Sequence, residues 1–190
     1  FLFLKYFTLF IIFFNFFLNL HAAEKQSIIN RLSEINNFTF NFEQITKEKI
    51  ETGNCLLQFN NRLKCSYNDD LQKEILINKK TLVVSQKRYD KIYFYPLSKS
   101  PFMNILNKDK LINLIQKSDL KLNDDIELSY VDKNQKNIKV FFEKKNYEIK
   151  GWLIEDKFQN EIYFSLKIVR INSDIGSDYF AIPKLIRERN

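Results

Sequence analysis

The sequence predicts a mainly β fold with some helix (α+β), in which about ten antiparallel strands form a barrel or a strongly curved sheet. Two observations lead to this fold class. Short runs in which apolar and polar residues alternate recur along most of the 190-residue chain, with short turns between them. Two apolar helical stretches interrupt the series near its middle. Strands joined by short turns pair as antiparallel meanders, so we expect these helices on the open face of the sheet.

The N-terminal segment has the composition of a secretory signal peptide. Its first twenty residues are almost wholly apolar, with one basic residue, Lys5, and the small residues Ala22 and Ala23 follow. We therefore expect residues 1–23 to be a signal peptide, cleaved after Ala22 or Ala23, and residues 24–190 to form the mature domain. A retained membrane anchor is the alternative, because the apolar run is almost long enough to cross a bilayer.

The mature domain is predicted to open with a helix and a strand. The segment from Gln26 to Ile35 is amphipathic, because Ile28, Leu32 and Ile35 recur at helical spacing. The segment Phe38–Gln44 then alternates aromatic and polar residues, which is typical of a half-buried strand.

A hairpin that contains both cysteines is predicted next. Its arms are Asn54–Phe59 and Leu63–Tyr67, and a turn centred on Asn60 places Cys55 opposite Cys65. Directly opposed residues in a hairpin are close enough for a disulfide. Two buried free thiols are the alternative, and the secreted context favours the bridge. The spacing is not Cys-x-x-Cys, so we expect a structural and not a redox-active disulfide.

Further strands are predicted on both sides of the helical stretches. The first of these stretches has Ser100 as N-cap and Pro101 in the first helical position, and Asp109 is predicted to cap the second. A short apolar piece over residues 179–183 precedes a charged tail. The remaining predicted strands are Lys73–Ile77, Thr81–Ser85, Lys91–Tyr95, Ile126–Val131, Ile138–Glu143, Tyr147–Glu155 and Glu161–Val169.

The composition argues against most enzyme classes. The only histidine, His21, lies at the expected cleavage point, so a mature chain has no imidazole for a Ser-His-Asp triad, a Cys-His pair or the usual zinc sites. Three widely separated glycines provide no phosphate-binding loop. A carboxylate-only or Ser-Lys site stays open, but no spacing marks one. We predict no catalytic residue, metal or cofactor.

The net charge of +7 does not indicate a nucleic-acid partner, because the lysines are scattered among Asp and Glu without a dense cluster. The apolar residues are more informative. A curved sheet lined on one face and closed by the first helical stretch is an apolar container, and a permanently filled core is the alternative. The candidate ligand-binding residues are Phe40, Phe42, Leu57, Leu63 and Tyr95 on the sheet, with Pro101, Phe102, Met103, Ile105 and Leu106 above it.

An ordered set of short motifs resembles the LolA family of periplasmic outer-membrane lipoprotein carriers. The resemblance runs from about Ser27 to Pro183. The matching stretches are Phe40-x-Phe42-x-Gln44, Gly53, Lys79-Lys80-Thr81-Leu82, Ser100-Pro101-Phe102-Met103-Asn104-Ile105 and Asp178-Tyr179-Phe180-x-Ile182-Pro183. The family usually has Arg-Pro after the second strand, and that Arg helps to hold a lid. Phe59-Asn60 stands there in this chain.

The resemblance implies an incomplete (open) antiparallel barrel of about ten or eleven strands capped by short α-helices. It also implies a monomeric carrier that takes an acylated lipoprotein from an inner-membrane lipoprotein-releasing ABC transporter. The carrier shields the acyl chains and delivers them to the outer membrane, through a receptor if one is present. No covalent chemistry is implied.

Two other functions are compatible with a sheet of this kind. A periplasmic lipid-sensing or regulatory binding module is the main alternative, although a regulator more often carries an added domain. A membrane-anchored receptor of similar fold is expected to have a lipidated Cys directly after the signal peptide, and no Cys stands there.

Overall fold

A single antiparallel sheet of eleven strands dominates the computed structural model, which describes residues 21–97, 103–131, 137–155 and 159–183. An N-terminal helix is followed by six strands, two short helices and five strands, as the sequence predicts. In the described residues the two edge strands pair with one neighbour each and not with each other, so the sheet is open. The predicted fold class is therefore confirmed.

The helices and strands are numbered along the chain. Residues 21–34 are helical and are called α1. The other helices are α2 (Met103–Leu106) and α3 (Lys108–Lys117). The strands are β1 (Asn37–Thr46), β2 (Lys49–Gln58), β3 (Arg62–Tyr67), β4 (Lys73–Asn78), β5 (Thr81–Gln86), β6 (Lys91–Pro96), β7 (Asp119–Leu122), β8 (Ile126–Val131), β9 (Asn137–Phe142), β10 (Ile149–Glu155) and β11 (Glu161–Ile171).

Two meanders share this sheet and meet at its centre. The strand order is β6-β5-β4-β3-β2-β1-β11-β10-β9-β8-β7, so the first and last strands of the chain are neighbours. At the junction Phe40 of β1 lies opposite Cys55 of β2 and Ile168 of β11. Because side chains alternate between faces, this register places the apolar positions of both meanders on one face, called here the inner face.

The three helices cover the inner face. Buried side chains of α1, α2 and α3 join those of the sheet in one apolar cluster, including Ile28, Leu32, Ile105, Leu106 and Leu111. The opposite, outer face is covered from β2 to Ile92 of β6 by the C-terminal segment, residues 173–183. Phe180 of this segment packs in a second cluster with Leu56, Leu76 and Val83. The backbone carbonyl of Phe180 accepts a hydrogen bond from Asn78 Nδ2 at 2.9 Å.

The largest differences from the predicted strands are in β2 and β7. Strand β2 begins at Lys49 and not at Asn54, because residues 49–53 extend the pairing with β1 to the end of that strand. Gly53 belongs to this extension: a Cβ there would lie 2.2 Å from the backbone oxygen of Ser66 and 2.7 Å from Phe42. Strand β7 was not predicted, since its four residues, which alternate between charged and apolar, are too short a pattern.

The N-cap of α3 is Asn107, so the prediction of Asp109 is wrong. The side-chain oxygen of Asn107 accepts from the backbone N–H of Lys110 at 3.0 Å, and its own backbone is extended, as an N-cap requires. Asp109 lies inside the first turn, where its carboxylate faces the positive end of the helix dipole.

A disulfide joins Cys55 to Cys65 across β2 and β3, as expected from the hairpin register. It closes a loop of sequence separation 10, so the chain-entropy account gives a stabilisation of about 2–3 kcal/mol. We expect unfolding in urea to require a correspondingly lower denaturant concentration when a reductant is present. A Cys55→Ala, Cys65→Ala double variant should not respond to reductant. Equal midpoints for the wild type with and without reductant would contradict this prediction.

Candidate functional site

The inner face brings together most of the predicted ligand-binding residues on the sheet. Phe40, Phe42, Leu57 and Leu63 are all buried in the main apolar cluster. Leu57 lies opposite Leu63, and Phe40 lies opposite Cys55 beside the disulfide. These four side chains therefore form one continuous surface beneath the helices. Their role in ligand binding stays a prediction.

Helix α2 lies over this surface. Its Ile105 and Leu106 are buried in the same cluster, and Met103 packs against it while half-buried. Pro101 and Phe102, predicted to belong to the same cover, lie outside the described residues. The helix is only four residues long, and α3 follows after a single residue. The two helices together are called the cover.

Tyr95 lies apart from the other predicted residues. The register places it on the inner face, in the row that runs from Leu57 through Leu63, Ile77 and Leu82. It belongs to edge strand β6, however, and its side chain is largely exposed outside the main cluster. The alternation in the sequence predicted its face correctly and could not show its distance from the helices.

A row of aromatic rings crosses the centre of the inner face. Phe42 stacks on Phe164 with ring centroids 4.8 Å apart, Phe164 stacks on Trp152 at 4.5 Å, and Tyr67 meets Phe42 edge to face at 4.9 Å. Trp152 and Phe164 are not among the lining residues predicted from the sequence. Both occupy the inward positions of alternating strands, so the same pattern that identified Phe40 and Phe42 could have identified them.

The cover is tied to α1 at both ends by lysines. Lys25 Nζ, near the start of α1, donates to the backbone oxygens of Ser118 at 2.6 Å and Gln116 at 3.2 Å, at the end of α3. Lys108 Nζ, at the start of α3, donates to the oxygen of Ser33 at 3.4 Å, near the end of α1. Helices α1 and α3 are therefore antiparallel. The Lys25 ammonium also complements the negative end of the α3 dipole.

The cover is also tied to the turn between β2 and β3. The backbone N–H of Asn61 donates to the oxygen of Leu106, the last residue of α2, at 3.2 Å. The Lys108 ammonium lies 5.3 Å from the centre of the buried Phe59 ring, in a cation–π arrangement. Phe59 and Asn60 stand where the LolA-like pattern has Arg-Pro, so at this place the aromatic ring comes from the sheet and the cation from the cover.

A polar cluster closes one end of the inner face, beside Phe42. The Tyr67 hydroxyl donates to Gln44 Oε1 at 3.1 Å, and the Lys73 ammonium lies 3.7 Å from the centre of the Tyr67 ring. Lys73 also pairs with Glu51 Oε1 at 2.5 Å, and Lys49 pairs with the same oxygen at 2.7 Å. Burial raises the pKa of Tyr67, and the carboxylates of Glu51 and Asp69 raise it further, so the hydroxyl stays a donor.

The Glu51 carboxylate makes this cluster sensitive to acid. Burial raises the pKa of Glu51, but hydrogen bonds from Lys49 and Lys73 outweigh it, and the net pKa lies below its usual value of 4.5. A lowered folded-state pKa stabilises the fold above the unfolded pKa, and that stabilisation is lost as the pH falls through the folded value. We expect Glu51→Gln to lower the free energy of unfolding at pH 7 by roughly 1–2 kcal/mol.

The difference between Glu51→Gln and wild type should shrink below about pH 4.5, as the wild-type carboxyl protonates. Urea unfolding followed between pH 3 and pH 7 measures it. The exposed Glu48→Gln, in the turn between β1 and β2, is the matched control and should have little effect at any pH. A destabilisation by Glu51→Gln that does not depend on pH would contradict the ionic role.

Other site types find no support in the part of the chain that the structure describes. No group of three or more His, Cys, Asp or Glu side chains there could hold a metal ion. Among the same residues no helix has the length and hydropathy needed to cross a membrane. The main feature of the candidate site is therefore the covered apolar face.

Structural comparison supports the fold. An uncharacterized conserved protein from Thermus thermophilus aligns with TM-score 0.52 and 7% identity, over 85% of this chain and 94% of that chain. The lipoprotein LppX of Mycobacterium tuberculosis aligns with TM-score 0.49 and 10% identity, over 83% and 98% of the two chains. The LolA superfamily protein NE2245 from Nitrosomonas europaea gives 0.41 and 12%, over 83% and 97%. At 7% identity the likeness to the Thermus thermophilus protein shows the fold alone.

Comparison by sequence identifies the family. A search of curated proteins finds no significant match. Residues 33–183, however, match the sequence profile described as "Outer membrane lipoprotein carrier protein LolA". This match spans α1 from Ser33, the whole sheet, the cover and the C-terminal segment as far as Pro183. The chain therefore belongs to the LolA family, the family of outer membrane lipoprotein carrier proteins.

Proposed function

We propose that this protein carries acylated lipoproteins from the inner membrane to the outer membrane and catalyses no covalent reaction. The observation that carries the proposal is the continuous apolar inner face of an open sheet, covered by α1 and by the two short helices α2 and α3, which a few polar contacts tie to α1. Family membership supports it, because the family is described by this activity.

The energetics of acyl chains explain why a carrier is required. Each CH₂ group exposed to water costs roughly 0.8 kcal/mol, so the acyl chains of one lipoprotein cost on the order of tens of kcal/mol outside a membrane. Unassisted transfer through an aqueous compartment is therefore negligible. A covered apolar face removes that cost for the duration of the transfer.

The cover gives the carrier a means of release. In the structure the apolar side chains of α2 and α3 occupy the space above the inner face, where the acyl chains would bind. Ligand and cover then compete for the same surface, which weakens net binding and permits transfer to the next acceptor. We propose that the acyl chains contact Phe40, Phe42, Leu57, Leu63 and Tyr95 on the sheet, and Pro101, Phe102, Met103, Ile105 and Leu106 on the cover side.

The same proposal assigns the compartment and the partners. Residues 1–23 serve as the signal peptide, residues 24–190 form the carrier domain, and the site of action is the periplasm. The Cys55–Cys65 disulfide supports an oxidising compartment. The partners are acylated lipoproteins, an inner-membrane lipoprotein-releasing ABC transporter and an outer-membrane receptor if one is present. The carrier acts as a monomer and binds no nucleic acid.

Release of lipoprotein from isolated inner membranes tests this function. Membranes that contain a tagged, acylated outer-membrane lipoprotein and the transporter are incubated with ATP and the purified protein, and the supernatant is analysed for a one-to-one soluble complex. The same cargo lacking its acylated cysteine is the control and should form no complex. If the acylated cargo stays in the membrane while the folded protein is present, the proposal is wrong.

A further inference from the structure

Strand β6 is an edge of the sheet with an unusual surface. Tyr93, Phe94 and Tyr95 follow one another in its centre, and their side chains are 41%, 38% and 49% exposed. Tyr93 and Tyr95 lie on the inner side of the sheet, and Phe94 lies on the outer side. Apolar side chains are thus exposed on both sides of the same strand, which one flat covering surface cannot bury.

The other edge of the sheet is protected in ways that β6 is not. Strand β7 has only four residues, and its exposed Asp119 and Lys121 carry charge along the strand. Strand β6 has six residues, its register with β5 runs without a bulge, and no charged residue follows Lys91 within it. Short length, charge and bulges are the usual means by which a free edge avoids pairing with another strand. In β6 only the two end residues, Lys91 and Pro96, are of the protective kind, so the centre of the strand is left open to pairing.

The backbone of β6 presents a row of outward groups that another strand can pair. Within the described residues β6 is bonded to β5 alone. The N–H of Leu97 donates to the oxygen of Lys80 on the β5 side, at 2.9 Å. Because backbone direction alternates along a strand, the N–H and C=O groups of Ile92 and Phe94 point away from β5. Pro96 shares that outward direction and lacks a donor, as is common in edge strands.

The charges around β6 indicate the chemistry of a partner. The hairpin from Lys79 to Leu97 contains five basic residues and one acidic residue, Asp90. The exposed Lys79 and Lys80 lie at one end of β6, and the exposed Arg88 and Lys91 lie at the other. An added strand would therefore have cations at both of its ends and aromatic rings along its middle.

We infer that β6 binds an extended polypeptide segment of a partner protein, with acidic residues at both ends, as a twelfth strand of the sheet. Backbone hydrogen bonds to Ile92 and Phe94 supply affinity, and side chains on both faces of the segment meet the three aromatic rings. The basic residues at the two ends select for acidic ones and fix the position of the segment along the strand. Tyr95 is also among the residues proposed above to contact acyl chains, so the peptide is tested on the protein without lipoprotein cargo.

A synthetic peptide tests the inference directly. The probe is a fluorescent seven-residue peptide of alternating threonine and valine with glutamate at each end, which spans β6 at roughly 3.3 Å per residue. Fluorescence anisotropy on the full chain should show saturable binding. We expect at least about tenfold weaker binding when lysine replaces both glutamates, and about tenfold weaker binding when the amides between the ends are N-methylated.

Two variants at one position separate backbone from side chain. Phe94→Pro removes an outward N–H and should weaken binding about tenfold, whereas Phe94→Ala keeps that N–H and should weaken it less. If Phe94→Pro does not fold, the N-methylated peptide decides. Equal binding of the native and N-methylated peptides, or of the glutamate and lysine peptides, overturns the inference. The inference is also overturned if the peptide does not bind and Phe94→Pro instead abolishes dimerisation or binding to anionic phospholipid vesicles.

Discussion

Replacing Trp152 with alanine is expected to lower the free energy of unfolding by about 3–5 kcal/mol, the range for removing a large buried aromatic ring. The ring is 1% exposed, stacks on Phe164 and lies opposite Val140 in the neighbouring strand. Its removal leaves a cavity in the aromatic row that joins the two meanders, where strands on both sides limit how far the site can collapse.

Urea unfolding followed by far-UV circular dichroism measures the loss, because Trp152 is the only tryptophan and its fluorescence disappears with it. Val169→Ala in β11 is the matched control. That side chain is 62% exposed, so its truncation should change stability by less than about 0.5 kcal/mol. A Trp152→Ala protein within about 1 kcal/mol of the wild type would show that the row is not a main source of stability.

Ile105→Glu is expected to reduce lipoprotein release from inner membranes to background. Ile105 lies on the buried side of α2, against the inner face. A carboxylate at this position therefore faces an apolar surface both when the cover is closed and when acyl chains are present. An unpaired buried charge costs several kcal/mol, which either holds the cover away from the sheet or repels the ligand. Binding of a hydrophobic dye by the free protein should rise as the inner face becomes exposed.

Two controls make the Ile105→Glu result specific. Lys110→Glu places the same charge at an exposed position of α3, and its release activity should stay near that of the wild type. Ile105→Leu keeps the apolar volume and should also release cargo. Circular dichroism must show that Ile105→Glu retains its sheet. Normal release by Ile105→Glu would exclude the cover from the acyl-binding site.

Local patterns along the chain were sufficient to predict most of the strands and the disulfide within one hairpin. Two-residue alternation marks β1 and β3, and the turn at Asn60 fixes the register that sets Cys55 opposite Cys65. The order of strands was not predictable in this way. The pairing of Phe40 with Ile168 joins positions at opposite ends of the domain, and nothing in either segment alone specifies the other.

Only part of the candidate site could be predicted, because part of it also depends on distant pairings. Phe40, Phe42, Leu57 and Leu63 were found because hairpin pairing places them on one face. The alternation also marks Phe164 and Trp152 as inward residues, but the stacking of Phe164 on Phe42 depends on the β1–β11 junction, which no local pattern specifies. The Lys25 and Lys108 contacts also join segments that no short-range pattern relates.

The junction of β1 with β11 has a consequence for the order of folding. Each meander is built from neighbouring strands and closes only short loops, whereas the junction joins strands that are far apart in the chain. During synthesis β1 to β6 are complete long before β11 exists. Until then β1, with its alternating phenylalanines, has an unpaired edge, although it is the central strand of the finished sheet. We therefore expect the nascent chain to depend on a chaperone until its last strand arrives.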